Sequence, residues 1–449
     1  MIGLSWIDFL NEFWLCCFAM RRRADRSFER GYSAPRCVPM LGHMGDAWAG
    51  AGLGALVARA GLLPLVLRGR WSARRAPEAI PELDDFPFVD RMRAALSSGL
   101  DDLFLLSELI VGDYALEEGL AHSRAEVEGA LECAAGEGWL ETPTAFHQAP
   151  TPPGPGLRLQ GIEGRAGEFE LQFESGFQPS RALPGSRRYL CALPNHTAAA
   201  RLLIHPGQER PWVVCLPGFR MGHPAVDAFG FRTTWLHRTL GLNVAVLTMP
   251  FHGSRRCGAR SGDGFVSGDV VGTLLAETQA VWDARRLIAW LRTRGAPGIA
   301  VLGLSLGGYT TGLVAALEPD LDCAIAGIPV VDLFDLVDRH AGGAIAEVAD
   351  RFGVCWKSVR ALGRLISPLA MPAALPPERC FVFAGLSDGL APPAHARALW
   401  THWGRPRIEW YPGGHVAFVV EPRVQGLIGE ALDQTGLLAV ATGTMRQAG

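Results

Sequence analysis

The chain has 449 residues, 49% of them hydrophobic and 19% charged, enough for one large α/β domain with an extension or for two domains. A net charge of −3 argues against a nucleic acid partner, and the basic side is almost all arginine, with Lys357 the one lysine. The ten cysteines are scattered, no C-x-x-C spacing suggests a zinc or redox pair, and free buried thiols of a reducing, cytoplasmic compartment are the reading they fit.

Residues 2–20 are apolar but contain Asp8, Asn11 and Glu12, and Arg21 to Arg23 follow them. A secretory signal carries its positive charge before the apolar stretch, and acids in mid-segment disfavour a spanning helix. Two readings stay open: a helix packed on the body of the protein, or an in-plane amphipathic helix making peripheral membrane contact through residues 2–23. Eleven arginines against five acids in residues 1–75 support the second. Residues 47–67 are rich in Gly, Ala and Leu, but Arg59 and Pro64 interrupt them. Residues 86–137 carry helical signals, with Ser123-Arg-Ala-Glu126 reading as a capping box that opens a helix over Val127, Ala130, Leu131 and Ala134. The breaker-rich run from Ala149 to Gly156 then divides a mainly helical N-terminal extension, 1–150, from a second domain, 157–440.

Beyond that boundary, Glu168 to Phe173 alternates like a half-exposed strand. Short apolar runs follow at Leu202–Ile204, Trp212–Leu216, Val244–Leu247, Ile299–Leu302, Cys323–Ile328, Cys380–Ala384 and Ile408–Tyr411. Helical stretches separate most of them; Leu274, Thr278, Val281, Leu287, Ile288 and Leu291 form one apolar face. Apolar strands alternating with helices imply an α/β fold, a mostly parallel sheet covered on both faces. An apolar insertion at about 333–375 reads as a small helical lid.

Gly303-Leu304-Ser305-Leu306-Gly307 follows the Ile299 strand and opens a helix running to about Leu317. A hydroxyl is a weak nucleophile unless held exposed beside a base, and a sharp strand-to-helix turn does this. With 54 glycines in the chain the pentapeptide alone is weak evidence; its place between strand and helix is what counts. An acid and a histidine are expected after it, at the ends of later strands. Asp388 ends the Cys380 strand and His415 the Ile408 strand, so Ser305, Asp388 and His415 make a candidate triad, with Asp332 as an alternative acid. The backbone N–H groups of Leu306 and Phe219 are the candidate oxyanion donors. His223 and His252 are candidates for lining a substrate pocket. No metal-ligand spacing such as H-E-x-x-H occurs, and no cofactor is expected.

Leu216-Pro-Gly-Phe219, Met249-Pro-Phe-His-Gly253, the Ser305 turn, Ile366-Ser-Pro-Leu369 and Trp410-Tyr-Pro-Gly-Gly-His415 together resemble the α/β-hydrolase superfamily over residues of about 165 to 435. The branch they resemble is the one typified by alpha/beta hydrolase domain-containing protein 18. The resemblance implies triad roles for Ser305, Asp388 and His415, although Pro217-Gly218 stands where many members have His-Gly. It implies a serine hydrolase acting on a small-molecule carboxylic ester, with an acyl or lipid-like substrate conceivable. The alternatives are a peptidase or amidase of the same fold and a non-catalytic relative, because this fold does not choose its substrate.

Overall fold

A computed structural model describes residues 86–111, 116–207, 209–341 and 345–442. The segments 2–23 and 47–67, and with them the membrane-contact reading, lie outside the described residues. Two helices open the described part, α1 (Phe88–Val111) and α2 (Leu116–Gly136). The helical content expected over 86–137 is therefore present, but the capping box is not. Ser123 sits inside α2, where its hydroxyl donates to Gly268 O (2.7 Å) and accepts from Val270 N (2.8 Å). Glu126 pairs with Arg188 at 2.5 Å. The same side chains that would cap a helix locally have been taken by a tertiary contact 145 residues away.

One nine-stranded sheet runs through the rest, in spatial order β1-β2-β3-β5-β4-β6-β7-β8-β9. The strands are β1 (Arg158–Gly161), β2 (Glu168–Glu174), β3 (Thr197–Leu203), β4 (Trp212–Leu216), β5 (Asn243–Thr248), β6 (Ile299–Leu304), β7 (Cys323–Gly327), β8 (Cys380–Gly385) and β9 (Arg407–Tyr411). β1, β2 and β3 form an antiparallel meander that joins β5 antiparallel, and β5 through β4 to β9 are parallel. β4, β6, β7 and β8 are buried along their whole length, the signature of a parallel sheet covered on both faces. β1 escapes sequence reading because all four of its residues are exposed and it has no apolar alternation. β3 begins five residues earlier than the Leu202 run; the pairing of Ala198, Ala199 and Ala200 with β2, not their own propensity, makes that stretch a strand.

The long helix α3 (Val270–Thr293) and α4 (Leu306–Leu317) pack on one face, where Leu274, Val281, Leu287, Tyr309 and Leu313 join the core. On the other face lie Val424, Leu427, Ile428 and Leu432 of the helix Pro422–Gln434. Between β7 and β8 the insertion forms three helices, α5 (Leu333–His340), α6 (Ile345–Arg351) and α7 (Trp356–Gly363). Val359, Leu362, Leu365 and Ile366 anchor it in the main core. This is the α/β-hydrolase fold: a mostly parallel central sheet between helices, preceded by a helical N-terminal segment. No helix of the described residues is long and apolar enough to cross a membrane.

A buried polar network locks the antiparallel end to α3. The guanidinium of Arg255 donates to Asp283 Oδ2 (2.8 Å), Asn195 O (3.0 Å) and Thr248 O (2.9 Å), while the Ser175 hydroxyl donates to Asp283 Oδ1 (2.6 Å). Both charged side chains are almost wholly out of solvent. Removing one member leaves the other charge buried and unpaired, so Asp283→Ala is expected to cost about 3–5 kcal/mol, read as a lowered midpoint in urea unfolding.

Candidate active site

Sheet order determines where the site lies. β5 and β6, which follow β4 in the chain, flank it on opposite sides, so the strand order reverses at β4 and opens a crevice at the carboxyl ends of β4 and β6. Ser305 stands at the end of β6 with φ 56° and ψ −112°, a left-handed conformation that side chains rarely adopt. Its N–H donates to Gly327 O (2.9 Å) and its carbonyl accepts from Tyr309 N (2.9 Å), which fixes the turn between strand and helix. Glycine is required on both sides by sterics. A Cβ at Gly307 would lie 1.7 Å from Leu216 O, and one at Gly303 would lie 2.0 Å from Gly307 O.

Asp388 and His415 meet on the neighbouring loops. His415 Nδ1 donates to Asp388 Oδ2 at 2.7 Å, and both groups are buried. The other oxygen of Asp388 accepts from Leu390 N (2.9 Å) and Ala391 N (2.8 Å), so the carboxylate is held by its own loop. With Nδ1 donating, Nε2 of the neutral ring is an acceptor, the state a general base needs. Burial opposes protonation of His415, but the charge and hydrogen bond of Asp388, with Asp101, outweigh it and raise its pKa above the ordinary 6.5. Among the described residues no hydrogen bond joins the Ser305 hydroxyl to His415. Asp332 stands apart from this pair: its carboxylate caps α5 by accepting from Phe334 N (3.0 Å) and Asp335 N (2.9 Å).

The loop after β4 runs beside the nucleophile turn, since a Cβ on Gly218 would be 3.3 Å from that of Ser305. The N–H groups of Phe219 and Leu306 donate to no acceptor among the described residues. Leu306 is the first residue of α4, so its N–H also carries the positive end of the helix. His252 is fully buried. It hydrogen-bonds Pro250 O through Nδ1 (2.7 Å), and its ring lies 5.9 Å from that of Phe219. Burial drives its pKa down to about 4, so it is neutral, with Nε2 buried and unpartnered. His223 is exposed and accepts from Ala225 N (3.3 Å) at the start of the short helix Pro224–Gly230.

Three residues absent from the sequence reading also reach this edge, all from α1. Ser97 Oγ accepts from Gly414 N (2.7 Å), and Asp101 Oδ2 accepts from both Gly389 N (2.9 Å) and His415 N (2.8 Å). Glu108 binds Arg220, next to Phe219, through Nη2 (2.7 Å) and Nε (3.0 Å), and it also pairs with Arg260. No sequence signal marks these residues, because they lie about 110 to 320 positions from their partners. The steric limits at the turn are directly testable: Gly307→Ala is expected to cost more than about 3 kcal/mol or to abolish soluble folding, seen as a lower Tm or loss of the folded fraction.

No family model matches the chain. Among solved structures it is similar to an acetyl xylan esterase from Paenibacillus sp. R4, with 16% identity, 65% of this chain and 93% of that one covered, and a TM-score of 0.47. It is also similar to acetyl xylan esterase 1 from Thermoanaerobacterium sp. JW/SL YS485, with 17% identity, 66% and 98% covered, and a TM-score of 0.45. Likenesses at this level say nothing about a substrate. In sequence the chain is far more similar to two proteins of Mycobacterium tuberculosis. It is 41% identical over 316 residues to "Uncharacterized protein MT2702" of strain CDC 1551 / Oshkosh, covering 70% of this chain and 75% of that protein. It is 40% identical over the same length to "Uncharacterized protein Rv2627c" of strain ATCC 25618 / H37Rv, with the same coverage. The chain belongs to the family of these two mycobacterial proteins.

Proposed function

We propose that the protein is a serine hydrolase that cleaves carboxylic esters through an acyl-enzyme on Ser305. The observation that carries this reading is the buried Asp388–His415 pair, at 2.7 Å, on the same sheet edge as a serine held at positive φ. In the proposed cycle, Ser305 Oγ attacks the ester carbonyl carbon while His415 Nε2 takes the hydroxyl proton, and Asp388 stabilises the resulting imidazolium. The tetrahedral oxyanion accepts from the Leu306 and Phe219 N–H groups. Collapse breaks the bond to the alcohol, which leaves with the proton from His415. Water then attacks the acyl-enzyme by the same route, and the carboxylic acid departs.

No cofactor enters this scheme. The substrate is read as a small-molecule ester, with an acyl or lipid-like group, and the enzyme as cytoplasmic. Within the superfamily, the motif at Trp410-Tyr-Pro-Gly-Gly-His415 supports the branch typified by alpha/beta hydrolase domain-containing protein 18.

Fluorophosphonate labelling and hydrolysis of p-nitrophenyl acyl esters of rising chain length test the reading. The wild type should label and turn over, and Ser305→Ala should do neither; labelling that survives in Ser305→Ala refutes it. Asp388→Asn, which misorients the ring, should lower kcat by roughly 10³- to 10⁴-fold. The general base works only when neutral, so the raised pKa of His415 places the acid limb of kcat/KM above pH 6.5, with activity lost as pH falls through it.

A further inference from the structure

Helix α1 buries polar side chains and leaves several of its apolar ones exposed. Ala94, Ser97, Asp101 and Glu108 repeat at intervals of three, four and seven residues, so they share one face, and that face is buried. Phe88, Val89, Met92, Leu96 and Leu103 are exposed instead. A buried face built from a hydroxyl and two carboxylates needs polar partners. Those partners are the backbone N–H groups of the loops that hold Asp388 and His415, together with Arg220 and Arg260.

The contact is close. A Cβ at Gly414 would lie 2.6 Å from Asp101 Oδ2 and 3.0 Å from the Ser97 carbonyl carbon, so glycine before His415 lets the helix reach the loop. One oxygen of Asp101 spans the two loops by accepting from Gly389 N and His415 N, and its other oxygen is buried without a hydrogen-bond partner. The charged and titratable groups around the imidazole are Asp388 from the β8 loop, Asp101 from α1 and, behind the loop, Tyr411, whose hydroxyl donates to Gly414 O (3.0 Å).

We propose that Asp101 is a positioning residue of the catalytic assembly: from α1 it ties the His415 loop to the Asp388 loop and sets a second carboxylate against the imidazolium that forms during the reaction. The proposal rests on the hydrolase reading above. Burial and the Asp388 charge push Asp101 up to about 6, so near neutral pH it is ionised and adds to Asp388 in favouring protonated His415. A residue that served stability alone would hold the loops without altering the titration of the base.

Asp101→Asn separates the two, because an amide oxygen still accepts both N–H bonds while the charge is lost. The experiment uses full-length protein with ¹³C-labelled histidine, the His415 signal being identified by its loss in His415→Gln. The pH titration of that signal is followed alongside p-nitrophenyl acetate kinetics and fluorophosphonate labelling. In Asp101→Asn the His415 midpoint and the acid limb of kcat/KM should both move to lower pH. At neutral pH, kcat should fall roughly 10- to 100-fold with little change in KM. Ser97→Ala removes the tie to Gly414 but no charge, and should leave the His415 midpoint in place. A His415 midpoint unchanged in Asp101→Asn overturns the proposal. A wild type that labels and turns over, with Asp101→Asn matching it in kcat and pH profile, overturns the proposal and leaves the hydrolase reading standing. A wild type inert to both probes refutes that reading and the catalytic role of Asp101 with it.

Discussion

Everything at the candidate site depends on one steric constraint: α4 begins so close to the end of β4 that no side chain fits at Gly307, where a Cβ would lie 1.7 Å from Leu216 O. That closeness forces the chain to reverse within a single residue, and Ser305 is that residue, at φ 56°. The same approach directs the N-terminus of α4 toward the crevice, because α4 starts immediately after the serine. A half-buried serine at positive φ, a free backbone N–H and a helix dipole thus arise from one packing event rather than from three separate features.

Asp388 and His415 are held differently. Asp388 is fixed by N–H groups of its own loop, but the loop of His415 has two glycines before the histidine and relies on outside support. Tyr411 supplies part of it, donating its buried hydroxyl to Gly414 O. Ser97 and Asp101 add to it from α1, and Ser387 N donates to Gly413 O from the Asp388 loop. Through Glu108 the same helix reaches Arg220, beside the Phe219 N–H. α1 therefore bridges the two halves of the candidate site, and the described part of the N-terminal segment contributes hydrogen bonds to it.

Buried charge is concentrated in two places with different physics. The Arg255–Asp283 pair is deep and hydrogen-bonded to Ser175, Asn195 and Thr248, with only the Arg255 Nε left without a partner. Asp101, Asp388 and His415 are also buried, but there two carboxylates lie near one imidazole, only Asp388 bonds the ring, and an oxygen of Asp101 is left without a partner. The first arrangement is balanced and stabilises the fold. The second sets two carboxylates near one imidazole, the condition under which protonation states shift.

The sequence by itself determined the mostly parallel sheet, the strand–turn–helix at Ser305, and the places of Asp388 and His415 on the loops that follow two successive strands. These were legible because they rest on local patterns: apolar runs of strand length, helical periodicity and glycines at fixed offsets from a serine. The tertiary structure alone decided that Ser123 hydrogen-bonds the start of α3 instead of capping a helix of its own, that Asp332 serves as a cap, and that β1 joins the sheet with no buried residue. It also decided that α1 turns Ser97 and Asp101 toward the protein and leaves Leu96 and Leu103 exposed. A polar side chain is buried wherever a matching donor waits, and here the donors on Gly414 and His415 lie 317 and 314 residues along the chain. Periodicity carries no information about a partner at that distance; only the folded sheet edge brings the two together.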